Sequence, residues 1–148
     1  CVCVCARIPC HFVLSPRISR FMRDHMRYID ELQCAAGRIV QAMREYALKT
    51  TGSPEFDTMH IRRGDFQYEE TRIEARVIYE NIRHIVPKKT VIYVATDEHD
   101  KHFFTDLGQH YDLKFMDDFM PQLEGVNHNY FGMIDQRTFL VCVCEHKF

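Results

Sequence analysis

The sequence predicts an α/β domain of three layers, with a short parallel sheet held between helices. Apolar segments of strand length alternate with helical patterns of roughly 10–15 residues, which is the signature of βαβ units. The middle strand, 90–95, is β-branched and aromatic with little polar alternation, as a strand covered on both faces is. A chain of 148 residues is also long enough to bury one core of its own.

The elements follow in order. Leu32, Ala35, Ala36, Ile39, Val40, Met43 and Ala47 recur at helical spacing, opposite Arg38, Gln41, Arg44, Glu45 and Lys49. That is an amphipathic helix with one buried stripe, ended by the breakers in Thr51-Gly52-Ser53-Pro54. Residues 56–61 read as a strand, followed by the polar turn Arg62-Arg63-Gly64-Asp65. Thr71-x-x-Glu74 fits a capping box that opens a helix through Ile73, Val77, Ile78, Ile82 and Ile85, and Pro87 closes it. After the strand at 90–95, Thr96-Asp97-Glu98 opens a helix carrying Phe103, Phe104 and Leu107. A third strand is expected at 113–116 and a last helix at 130–139. The sheet is therefore expected from 56–61, 91–95 and 113–116, with right-handed crossovers.

Composition narrows the function. Acidic residues number 21 against 19 basic ones, for a net charge of -2, so there is no footprint for sequence-independent nucleic-acid binding. With 46% hydrophobic and 27% charged residues the chain is an ordinary globular one. No apolar run approaches the ~20 residues of a membrane-spanning helix, and no targeting signal is visible. Six of the seven cysteines lie at the ends: Cys1, Cys3, Cys5, Cys10, Cys142 and Cys144. A TG dinucleotide repeat read in one frame encodes such Cys-Val alternation, so residues 1–11 are expected to be low-complexity sequence outside the fold. Residues 137–148 are expected to form an atypical tail, which leaves 12–136 as the informative part.

Ligands of parallel sheets sit beyond the carboxyl ends of the strands, here the turns after Ile61 and after Ala95. His60-Ile61-Arg62-Arg63-Gly64-Asp65-Phe66 is the most informative stretch. Two guanidinium groups at a strand end suit an anion, and the planar Arg fork matches phosphate oxygens, so a pyrophosphate is the natural guest. Gly64 allows a turn or a close approach, and His60 adds a donor. The competing reading pairs the arginines with carboxylates such as Asp65 or Glu69. Arg63-Gly64-Asp65 also spells an adhesion tripeptide, but it directly follows a buried strand. Glu98-His99-Asp100-Lys101-His102 has metal-ligand residue types, yet it reads as a solvated helix start, and no metal site is expected.

Four blocks stand in series: His60-Ile-Arg-Arg-Gly-Asp-Phe66, Val91-Ile-Tyr-Val-Ala-Thr-Asp-Glu98, Asp117-Asp118-Phe119 and Tyr130-Phe-Gly-Met-Ile-Asp-Gln136. In order and spacing they resemble the GDP-fucose protein O-fucosyltransferase family. The helix around 27–47 resembles the segment that precedes them. The resemblance implies a GT-B architecture of two Rossmann-like domains, of which this chain is similar to most of the second, nucleotide-binding one. It implies transfer of fucose from GDP-fucose to a Ser/Thr or sugar hydroxyl, with inversion, on a protein or glycan acceptor in the endoplasmic reticulum or Golgi lumen. By the same resemblance Arg62 lies on the donor's β-phosphate and acts catalytically on the leaving group, with His60 beside it and Arg63 as a second basic position. Asp97 matches a position near the nucleotide. Asp135 matches the carboxylate that reads guanine, and a carboxylate does accept from the N1 and N2 donors that adenine lacks. No cofactor or metal is expected, since a fixed Arg stabilises the departing GDP without one.

The chain departs from the family pattern after Gln136, where Arg137-Thr138-Phe139-Leu140 leads into Val-Cys-Val-Cys instead of a strand and a Ser/Thr-Phe loop. The family's acceptor-binding first domain is expected to lie outside the chain, so no residue is assigned as base and the chain alone is expected not to transfer fucose. The alternative function is a non-catalytic nucleotide- or anion-binding module.

Overall fold

The computed structural model describes residues 2–5, 28–64 and 73–145. Its sheet has four strands in the order β1 (Val2–Cys5), β2 (Asp57–Ile61), β3 (Val91–Thr96) and β4 (Asp112–Lys114). β2, β3 and β4 are parallel, as expected, with Ile61 opposite Thr96 and Tyr93 opposite Lys114.

β1 corrects an expectation. The Cys-Val segment does not lie wholly outside the fold, because Val2–Cys5 pairs antiparallel with β2, Val2 opposite Ile61 and Cys5 opposite Thr58. The outer edge of β2 otherwise presents a row of unpaired N–H and C=O groups, and an alternating β-branched segment fits it.

Helix α1 (Asp30–Thr51) forms as its pattern requires. Asp30 and Glu31 in the first turn and Lys49 in the last complement the helix dipole. Gly52 closes it in the left-handed conformation at φ 80°, its N–H donating to the Leu48 carbonyl. All seven residues of the expected stripe are buried. They form one core layer with Phe56, Val91, Tyr93, Ala95, Phe119, Leu123, Val126 and Ile134.

The opposite face of the sheet is covered by α2 (Ala75–Ile82) and the single-turn α3 (Thr105–Gly108). Its core joins Met59, Ile61, Ile92 and Val94 to Ala75, Ile78, Ile82, Phe104 and Leu107. β3 thus sends alternate side chains into two cores, which is why its sequence is apolar throughout.

Several elements differ from expectation. α2 begins after Glu74, with no side-chain cap bond, and ends at Ile82 rather than near Ile85; Thr71 of the capping box lies outside the described residues. The helix expected after Thr96 is a 3-10 turn, Lys101–Phe104, capped by Asp100 accepting from the His102 N–H, and then α3. β4 stops at Lys114 because the Phe115 N–H turns to the Asp118 carboxylate, which opens a 3-10 segment over Met116–Leu123. The last helix, α4 (Phe131–Glu145), runs on through most of the expected tail. Among the described residues no helix is long and apolar enough to cross a membrane.

Ile39 is fully buried, whereas Leu48 on the same helix is 52% exposed. Ile39→Ala is therefore expected to lower unfolding free energy in urea by about 2–5 kcal/mol, and Leu48→Ala by less than about 0.5. Equal losses would show that the stripe is misplaced.

Candidate functional site

The register that sets Ile61 opposite Thr96 brings the carboxyl ends of β2 and β3 flush. The residues that follow them are in direct contact. The Asp97 carboxylate accepts from two successive backbone groups, Arg63 N–H at 2.7 Å and Gly64 N–H at 3.0 Å. Arg62 Nε lies 3.7 Å from Asp97 Oδ2, with both side chains partly exposed. A Cβ at position 64 would stand 2.7 Å from Asp97 Oδ2, so glycine lets the loop approach this carboxylate without displacing it.

The two arginines have different partners. Arg63 Nε is 3.3 Å from Glu98 Oε2, and its guanidinium lies 3.7 Å over the Phe103 ring. Their described carboxylate partners are thus Asp97 and Glu98, from the neighbouring strand end. Asp65 and Glu69 lie outside the described residues.

His60 lies on β2, half-buried, with its ring 5.7 Å from Phe139 of α4. Burial lowers its pKa, with Asp97 opposing and Arg62 reinforcing. It is therefore neutral at pH 7, carrying one ring donor and one acceptor.

Asp135 is 7% exposed, on the α4 face turned to the sheet. One oxygen accepts from Tyr93 Oη at 2.5 Å and the other from Thr96 N–H at 2.9 Å. Burial raises its pKa to about 6, against the lowering effect of those two hydrogen bonds. Tyr93 is raised well above its usual range, chiefly by burial and then by the adjacent carboxylate, so it remains a donor. Both oxygens of Asp135 are thus engaged within the protein, where they hold α4 to the end of β3.

All five residues singled out in the sequence, His60, Arg62, Arg63, Asp97 and Asp135, cluster around the ends of β2 and β3. Sequence reasoning missed Tyr93, Thr96, Glu98 and Phe103 as their partners. Tyr93 carried a usable signal, because a tyrosine in a strand buried on both faces needs a partner for its hydroxyl. Asp100 caps a turn and Glu98 pairs with Arg63. Among the described residues no three His, Cys, Asp or Glu side chains converge as a metal site. Cavities of about 570 and 730 Å³ open beside β4 and at the amino ends of β2 and β3, away from this cluster.

A parallel α/β domain with a charged loop at adjoining strand ends defines the class whose ligand sites lie beyond the carboxyl ends of the strands. Residues 9–143 match the family GDP-fucose protein O-fucosyltransferase, and the chain belongs to that family. It is thereby a glycosyltransferase kind of protein, of the fucose-transferring branch. No curated protein and no solved structure matches it.

Asp135 generates a pH prediction. Its folded pKa of about 6 lies above the ordinary 3.8, so the native state binds the proton more tightly than the unfolded chain. The neutral form's stabilisation is complete below the unfolded pKa and is lost as pH rises through about 6. Asp135→Asn preserves the geometry, since Oδ1 can accept from Thr96 and Nδ2 can donate to Tyr93 Oη. The variant is expected to gain on the wild type as pH rises from about 4 to 7, by up to about 3 kcal/mol, or roughly 1.4 kcal/mol for each pH interval of one between the two pKa values. Urea titrations at several pH values measure this. A wild-type/variant difference that stays flat with pH would assign the titration elsewhere.

Proposed function

We propose that this chain binds GDP-fucose across the carboxyl ends of β2 and β3 and serves the donor side of an inverting fucosyl transfer. The observation that carries the reading is the basic loop at the adjoining strand ends, with Arg62 and His60 at the end of β2, in a chain of this family. Arg62 takes the β-phosphate through its guanidinium fork, and neutral His60 adds one N–H. Arg63 supports the loop from the other side, through Glu98 and Phe103.

The oxygen of a Ser/Thr or sugar hydroxyl attacks the anomeric carbon from the face opposite GDP. The bond from that carbon to the β-phosphate oxygen breaks, and its electron pair leaves with GDP. Arg62 stabilises the charge that develops there, so this reading needs no divalent ion. The acceptor's proton goes to a base that the proposal does not place among the described residues. Reading guanine through Asp135 requires that carboxylate to exchange Tyr93 Oη and Thr96 N–H for the base's N1 and N2 donors. A protein or glycan acceptor and a lumenal setting, in the endoplasmic reticulum or Golgi, accompany the proposal through the family.

Calorimetry with GDP tests it. A charge-assisted hydrogen bond contributes roughly 1.5–3 kcal/mol, so Arg62→Ala is expected to weaken GDP binding by about tenfold or more. Arg62→Lys is expected to recover only part of that, because an ammonium cannot reproduce the fork. Affinity unchanged in both variants removes Arg62 from the site, and equal affinity for GDP and ADP removes Asp135 from base recognition.

A further inference from the structure

We infer that Asp97 is a positioning residue, whose carboxylate shapes the Arg62-Arg63-Gly64 loop from below and so presents Arg62 to the donor without touching it. The proposal rests on the donor-binding reading above, but its structural basis is independent of any ligand. Each oxygen of Asp97 accepts one loop amide, Arg63 N–H at 2.7 Å and Gly64 N–H at 3.0 Å. Both amides belong to the loop that carries Arg62, so the carboxylate bears directly on the loop's shape. Its charge also argues against direct contact, because a free carboxylate facing a diphosphate would repel it.

The glycine supports the same conclusion. A Cβ on Gly64 would meet Asp97 Oδ2 at 2.7 Å and its Cγ at 3.3 Å, so a larger residue there displaces the carboxylate from the two amides it holds. The carboxylate is itself fixed at its root, since the preceding Thr96 N–H is held by Asp135 at 2.9 Å. Two carboxylates thus act in series: Asp135 sets the end of β3, and Asp97 sets the loop after β2. Arg62 leaves this loop at its first residue, with Nε 3.7 Å from Asp97 Oδ2. Asp97 thus bears on Arg62 chiefly through the loop backbone, with the exposed side-chain pair as a weaker addition.

The steric contact supplies a test by double-mutant cycle in the whole chain. Among the described residues, the close contact that Gly64→Ala introduces is with the Asp97 carboxylate. Gly64→Ala alone and Asp97→Ala alone are each expected to weaken GDP binding by about tenfold, whereas Gly64→Ala in the Asp97→Ala background is expected to cost less than about twofold more. Amide hydrogen exchange, read by NMR without ligand, is expected to quicken at Arg63 and Gly64 by about tenfold or more in Asp97→Ala, while amides of α1 keep their rates. Asp97→Asn, which keeps one acceptor, is expected to fall between. If Asp97 instead touches the donor, GDP affinity falls with exchange at Arg63 and Gly64 unchanged and the two substitutions add, and either result overturns the proposal. If the parent chain shows no affinity for GDP, the donor reading fails, while the exchange measurement still decides for or against the clamp.

Discussion

The parallel register between β2 and β3, with Ile61 opposite Thr96, is the constraint on which the rest depends. Parallel strands end at the same side of a sheet, so the chain segments leaving them emerge side by side. Only because these two ends are flush can a carboxylate one residue beyond β3 take the amides two and three residues beyond β2. A slip of one residue would turn His60 into the core that now holds Met59 and Ile61, and would carry Arg63 and Gly64 away from Asp97. The hydrophobic pattern that fixes the core therefore also fixes the site. Packing and chemistry are set by one alignment.

The same strand end explains the buried carboxylate. β4 stops opposite Tyr93, so the last part of β3 lacks a neighbour on that edge, and a buried N–H without an acceptor is costly. Asp135 supplies the acceptor for Thr96 and a second one for the Tyr93 hydroxyl, which is itself buried among α1 residues and Phe119. Burying the charge of Asp135 is unfavourable, as its raised pKa records, but two hydrogen bonds offset much of the penalty. The outcome is a polar peg that fixes α4 against the sheet at the level of the loop.

How much of this was legible depended on the range of the interactions involved. The α1 stripe and the unbroken apolar run of β3 were readable because periodicity and burial are local facts, and every stripe residue is buried. The clustering of the basic loop at the strand ends was also readable, but its partners were not. Asp97 and Glu98 are separated from Arg63 by a crossover, and a motif shows neither which atoms meet nor that a carboxylate faces backbone rather than ligand. The tetrapeptide Val-Cys-Val-Cys makes the point most directly. At 2–5 it is a strand, and at 141–144 it is the end of a helix. At the first place the open edge of β2 supplies hydrogen-bond partners; at the second, the preceding turns of α4 are already formed and extension adds one bond per residue. The alternation itself is neutral, so no local rule could have assigned both.

The two arginines differ in how readily they can change partner, and the difference follows from solvent. The Arg62–Asp97 pair is long, at 3.7 Å, with side chains 41% and 35% exposed, and pairs of that kind contribute only about 0–1 kcal/mol. On the proposed donor-binding reading, a diphosphate would offer the same guanidinium a shorter, two-pronged partner, so exchange would be inexpensive. Arg63 is enclosed between Glu98 and the Phe103 ring, and moving it would forfeit a cation–π contact and strand a carboxylate. When an anion draws Arg62 away, Asp97 loses one distant cation but keeps both backbone amides. The loop can therefore keep its shape while its charge changes partner, and the proposed donor site would rely on that separation of shape from charge.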